Sequence, residues 1–173
     1  PSTPASEHGG KVEAGFVAKL PGPQAALACR QWGRMDSIGQ RCERNGRRLR
    51  ECLQRLGYVP IGDYISETMN VSPRVAFVVA DRAAVIEHFQ RRGVYLGSWF
   101  DGPLSPLPRA PAYNFDPSSF PNAQLLARHV VNLCSHSALS ERDLTRMEEL
   151  MEAYASEHRE DLVLQGRLQA LAS

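Results

Sequence analysis

The sequence predicts an α+β fold: one long N-terminal helix followed by a small three-stranded sheet packed with helices. Three observations carry that reading. Apolar or small residues recur every seven positions at Ala28, Met35, Cys42, Leu49 and Leu56, with no proline after Pro23 to break the helix. Short apolar runs at "SPRVAFVVAD", "VYLGSW" and "HVVNLC" have the composition of buried strands. Ser140, with Asp143 three residues on, opens an amphipathic segment in the manner of a capping box.

Residues 1–14 begin with "PSTPASEHGG", small, polar and rich in Pro and Gly, and read as a linker or a cut end. Residues 15–57 form the long helical region. Ile38, Cys52, Trp32 and Leu53 widen its apolar stripe, and from Pro23 to Leu56 it would run about 50 Å, more than one small domain covers. Such a helix joins two domains or packs against a second chain. Residues 58–173 read as a small α+β domain. After the first strand, Asp81 caps a helix whose Val85, Ile86 and Phe89 face inward, and Gly93 ends it. The second strand, Val94 to Trp99, precedes a stretch with Pro103, Pro106, Pro108, Pro111 and Pro117 that continues neither helix nor central strand. Phe120-Pro121 opens a short helix around Ala123 to Arg128, and the third strand follows. Behind Ser140, the residues Leu144, Met147, Leu150, Met151 and Tyr154 form an apolar face, and a last helix runs from about Glu160 to Ala170.

The net charge of +1 gives no global attraction to nucleic acid or anionic membrane, but charge is unevenly distributed. Arg30, Arg34, Arg41, Arg44, Arg47, Arg48, Arg50 and Arg55 outnumber Asp36, Glu43 and Glu51 on the long helix, 8 − 3 = +5, whereas residues 140–161 hold eight acids against three arginines, 3 − 8 = −5. The two segments either face each other or each face solvent. A nucleic-acid helix is the competing reading of the arginines. They are spread around the helix and no aromatic residue interleaves with Arg41 to Arg55, which favours a solvated face or an interface. No stretch approaches the roughly 20 apolar residues of a membrane span, and no signal peptide is evident, so the chain is expected to be soluble and cytoplasmic. Cys29, Cys42, Cys52 and Cys134 lack paired spacing, and Cys42 and Cys52 would lie about 15 Å apart on one helix, so free thiols are expected.

The residues by themselves contain no complete active site. Gly9-Gly10-Lys11 lacks the flanking residues of a phosphate loop. His129, Cys134, Ser135 and His136 cluster in sequence, but the odd spacing of the two histidines points them to opposite faces of a strand, which favours structural roles over metal or catalysis. Asp101 and Asp116 lie in the proline-rich stretch without a paired acid.

The order of the motifs resembles the C-terminal part of the DegT-type (DegT/DnrJ/StrS) sugar aminotransferases, from about Gly15 to Ala153. "GFVAKLPGPQAAL" places Gly15, Lys19, Gln24, Ala25 and Ala26 where that family has a G-x-N-x-R segment leading into a Q-A-A helix start. Arg41, Arg74, "RRGVYLGSWF" with Gly93 and Trp99, "GPL" at Gly102 to Leu104, and "FPNAQLLARHVVNLCSHSALSERDL" follow in the family's order. The resemblance implies the small C-terminal domain and connecting helix of a fold-type I, pyridoxal-phosphate-dependent enzyme that aminates nucleotide-linked keto sugars and works as a dimer. It implies Lys19 as a substrate-binding residue, standing where the family has an arginine but without the bidentate fork. Val17 replaces an asparagine that reaches the neighbouring subunit's cofactor phosphate, Ser105 a histidine, and Cys134 the proline of a Leu-Pro strand end. The Schiff-base lysine belongs to a large domain that would precede Gly15, and Lys11 and Lys19 are the only lysines. No catalytic, cofactor-binding or metal residue is therefore assigned, and the chain alone is expected to be inactive and to bind no cofactor. Its expected partner is a second copy or a separate large domain. A free-standing, non-catalytic interaction or dimerisation module is the alternative.

Overall fold

The computed structural model describes residues 21–61, 73–98 and 116–172. Their element order is α1 (Gly22–Trp32), α2 (Met35–Arg55), β1 (Arg74–Val78), α3 (Arg82–Gln90), a 3-10 turn (Pro117–Ser119), α4 (Pro121–His129), β2 (Val130–Cys134), α5 (Glu141–Glu157) and α6 (Glu160–Ala172). The expectations for residues 1–14, for Lys19 and for most of the proline-rich stretch lie outside the described residues.

The expected single long helix is two helices. Gly33 and Arg34 interrupt it: Arg34 N–H bonds the Gln31 carbonyl at 2.9 Å in a tight turn, and α2 restarts without a side-chain cap. Glycine is a weak helix former, and no tertiary contact compensates here, because α1 buries none of its residues. Trp32 remains 78% exposed, so the seven-residue stripe becomes a core face only from Cys42 onward. There Leu49, Cys52 and Leu53 join Phe77, Val79, Val131, Leu133, Leu144, Met151 and Tyr154 in one core.

Among the described residues the sheet has two strands rather than three. β1 and β2 pair antiparallel with Arg74 opposite Cys134 and Val78 opposite Val130. The predicted second strand contributes one bridge, in which Gly97 exchanges backbone hydrogen bonds with Asn132 at 2.9 and 2.8 Å. Val94 and Leu96 pack against the core, so the apolar signal in "VYLGSW" reports burial without a ladder. A side chain at Gly97 would meet the Arg74 guanidinium, 2.7 Å from where its Cβ would lie.

Local signals behave as the sequence predicts. Asp81 accepts the Ala84 N–H at 3.0 Å to cap α3, and Gly93, with φ 75°, closes it in a conformation that disfavours other residues. Ser140 and Asp143 form a reciprocal capping box on α5. The basic and acidic helices face each other: Arg48 pairs with Glu148 and Glu141 at 2.6 Å, and Arg55 with Glu152 at 3.0 Å. α6 packs on β1, and no described helix is long and apolar enough to cross a membrane. The cysteines are free, with Cys42 and Cys52 buried, Cys134 half-buried and Cys29 exposed.

Candidate functional site

β2 delivers its end to the first turn of α5 through a short loop, and this loop separates two clefts. Ser135 N–H extends the pairing by donating to the Pro73 carbonyl at 2.8 Å. The chain then turns at His136, whose carbonyl accepts from Leu139 N–H at 3.2 Å and from Asn45 Nδ2 at 3.0 Å. Asn45 is buried within α2, so its amide ties the loop to that helix.

The larger cleft, about 440 Å³, lies between α2 and α5 and is lined by Arg41, Arg44, Asn45, Arg48, Leu139, Glu141 and Leu144. Arg48 is fully engaged. Its Nε and Nη2 donate to the two carboxylate oxygens of Glu148 at 2.9 and 2.6 Å, Nη1 donates to Glu141 at 2.6 Å, and Nη2 also donates to Thr145 at 2.9 Å. The hydrogen bonds that it donates to Glu148 hold this guanidinium more firmly in its charged form. Arg41 and Arg44 are exposed and make no hydrogen bond or ion pair among the described residues. The cleft therefore carries positive charge that its own acid does not match.

The smaller cleft, about 230 Å³, is lined by Tyr95, Cys134, His136, Asp143, Arg146 and apolar neighbours. Asp143 is committed to the α5 cap, and its hydrogen bonds from the Ser140 hydroxyl and backbone N–H hold its carboxyl below the usual range. Arg146 donates to the Arg92 carbonyl. These commitments make the smaller cleft a poor place for acid–base chemistry.

His129, Asp116 and Cys52 have structural roles, while Asp101 and Gly9-Gly10-Lys11 lie outside the described residues. His129 ends α4 and directs Nδ1 to the Val79 and Ala80 carbonyls at 3.0 and 3.1 Å, at the opposite end of β2 from His136. Asp116 is exposed and holds the following 3-10 turn, accepting from Ser118 Oγ at 2.6 Å and Ser118 N–H at 2.9 Å. Burial pushes the Cys52 thiol up to about 11, so it is a neutral core group. No group of three or more His, Cys, Asp or Glu among the described residues is placed to hold a metal.

Sequence reasoning missed one buried polar network. Asp161, on the first turn of α6, is fully buried and accepts from Ala80 N–H at 2.5 Å and Tyr58 Oη at 2.9 Å. Gln165, one turn later, donates to the Val78 carbonyl at 2.6 Å and accepts from Val59 N–H at 3.1 Å. Desolvation raises the Asp161 pKa and that of Tyr58. Nothing in the composition of α6 distinguishes these two residues from a solvated face; only a strand edge with unpaired backbone groups gives them a role.

A pyridoxal phosphate aldimine needs a lysine and an acid for the pyridine nitrogen. The described residues contain no lysine, and Asp161, their one buried carboxylate, is committed to Ala80 and Tyr58. These residues do not fit the cofactor's covalent anchor.

The described residues form a mostly helical α+β fold with a small two-stranded antiparallel sheet and a charged cleft between α2 and α5. The chain belongs to the DegT/DnrJ/EryC1/StrS aminotransferase family, whose model matches residues 3–152. Solved structures similar to it include Spr1654 of Streptococcus pneumoniae, assigned as a sugar aminotransferase, in its PLP form: 20% identity over 78% of this chain and 35% of that one, with a TM-score of 0.64. A DegT DnrJ EryC1 StrS aminotransferase from Brucella abortus is 19% identical over 76% of this chain and 35% of that one, with a TM-score of 0.63. DesV of S. venezuelae, in complex with a ketimine intermediate, is 20% identical over 87% of this chain and 42% of that one, also with a TM-score of 0.63. The chain thus spans little more than a third of the length of these relatives. A comparison with curated protein sequences gives no match.

Proposed function

We propose that these residues form the C-terminal portion of a pyridoxal-phosphate-dependent aminotransferase acting on nucleotide-linked keto sugars, and that they do not transaminate by themselves. The observation that carries this reading is the family match over residues 3–152 in a chain that covers only 35% to 42% of the solved relatives cited above. The cofactor supplies the electron sink for amino transfer when it is bound to a large domain. The contribution of this chain is to brace that domain, to help close the sugar site through residues such as Lys19, and to support a dimer. The bare surface of α1 and of the first residue of α2, with Leu27, Trp32 and Met35 exposed, is consistent with a helical segment that meets either a large domain or a second subunit. The same surface favours the second reading, a non-catalytic module that binds another protein.

The test is intact mass after incubation with pyridoxal phosphate and borohydride, with Lys19→Ala alongside, together with an amino-transfer assay on a nucleotide-linked keto sugar. The expected result is no specific adduct and no turnover by the 173-residue chain. A single adduct and turnover, both lost in Lys19→Ala, would overturn the reading. Turnover restored by adding a separately expressed, lysine-bearing large domain would favour the aminotransferase over the bare interaction module.

A further inference from the structure

We propose that the cleft between α2 and the first turn of α5 binds a phosphate-bearing small molecule of roughly nucleotide size, held by Arg41 and Arg44. This goes beyond the aminotransferase reading, because it requires neither a cofactor nor a large domain.

Arg41, Arg44 and Arg48 stand at positions i, i+3 and i+7 of α2, which places them along one face of the helix. Their electrostatic situations differ. Arg48 is offset by Glu141 and Glu148. Arg41 and Arg44 line the same cleft with no acid bonded to either among the described residues. Two neighbouring unmatched guanidiniums repel each other, and a dianion placed between them removes that repulsion. A guanidinium's fork of N–H donors matches the oxygens of a phosphate, and charge-assisted bonds of this type are the strong ones.

The surrounding residues narrow the class of ligand. Leu139 and Leu144 give the cleft an apolar wall against which the body of a metabolite can pack. Its volume of about 440 Å³ lies within the range of small-molecule sites. The Asn45 bond to the His136 carbonyl and the Arg48 pairing hold the two sides of the cleft together without a ligand, so the site is preformed. No aromatic residue lines it among the described residues, so these offer no stacking platform of the kind single-stranded nucleic acid uses. Glu141 lines the cleft and the acidic α5 adjoins it, so a long polyanion would be repelled on that side.

The experiment titrates the 173-residue chain with pyrophosphate and, separately, with uridine diphosphate at about 0.15 M salt, where weak surface attraction is largely screened. Saturable one-to-one binding is expected for at least one probe. Tighter binding of uridine diphosphate would show that the apolar wall takes part, whereas equal binding would assign the affinity to phosphate alone; both outcomes support the site. The Arg41→Gln/Arg44→Gln pair should weaken binding by at least about tenfold, from the loss of charge-assisted hydrogen bonds. Arg128→Gln, at an exposed position on α4, should leave it unchanged. Both cleft arginines are exposed, so an unchanged urea midpoint should accompany the loss. The proposal is overturned by no saturation with either probe, by equal affinity in the double variant, or by a single-stranded oligonucleotide that outcompetes both probes.

Discussion

Replacing Asp161 tests whether α6 is held on β1 by a polar bond network or by apolar contact alone. In Asp161→Ala the Ala80 N–H and the Tyr58 hydroxyl lose their acceptor in a site from which water is excluded. An unsatisfied buried polar group costs about 1–3 kcal/mol, so two such groups predict a loss of about 2–6 kcal/mol. Asp161→Asn keeps an acceptor for Ala80 N–H and offers its amide N–H to a Tyr58 hydroxyl turned to accept, so it should stay within about 1 kcal/mol of the parent at pH 7. The pH dependence has a definite sign. Desolvation raises the folded-state pKa of Asp161 above its unfolded value, so the folded state holds the proton more tightly. The resulting stability is fully present below the unfolded pKa and is lost as pH rises through the folded one. Lowering the pH from 7 towards about 4 should therefore favour the parent relative to Asp161→Asn. Urea unfolding of the parent and both variants at these pH values gives the free energies directly. An Asn variant as costly as the Ala variant, or an Ala variant costing under about 0.5 kcal/mol, would refute the network as the source of docking.

Three further outcomes are expected. Arg48→Ala should cost roughly 1 kcal/mol in urea unfolding, because it strips a two-point partner from the half-buried Glu148, and it should cost more than Arg55→Ala, which breaks a pair exposed on both sides. Ser140→Ala should destabilise the fold by about 1 kcal/mol through loss of the α5 cap. Asp143, held below the usual range in that cap, should contribute stability that is present above its unfolded pKa and lost as pH falls through its folded one, a slope that Asp143→Asn removes. Iodoacetamide at about pH 8 should label Cys29 first and leave Cys52 unreacted until the chain unfolds, which peptide mapping will resolve.

The clefts were only partly legible in the sequence. The arginine-rich helix and the acidic one are visible as local charge balances, and Ser140 marks the start of the second. Yet the sequence is equally compatible with both helices facing solvent. The cleft exists because Asn45 reaches the carbonyl of His136, 91 residues away, and Arg48 reaches Glu148, 100 residues away. Those distances then leave Arg41 and Arg44 as the arginines of that face without partners among the described residues. The histidine pair shows the converse: close together in the chain, His129 and His136 are carried to opposite ends of β2, and each ring bonds to a backbone group, His129 to the Val79 carbonyl and His136 to the Ala138 N–H.

By itself the sequence determined the features whose partners lie within a few residues: the Asp81 cap, the stop at Gly93, the helix start at Pro121 and the Ser140–Asp143 box. It also carried the ordered motifs that place the chain in its family. Tertiary structure alone decided where the long helix divides, which of the apolar runs joins the ladder, and which carboxylate is buried. A cap is complete within a single turn, so its energy is written locally. Whether Trp32 is exposed, Gly97 pairs or Asp161 is buried depends on what a distant segment places against it, and tertiary packing, more than propensity, decides such positions.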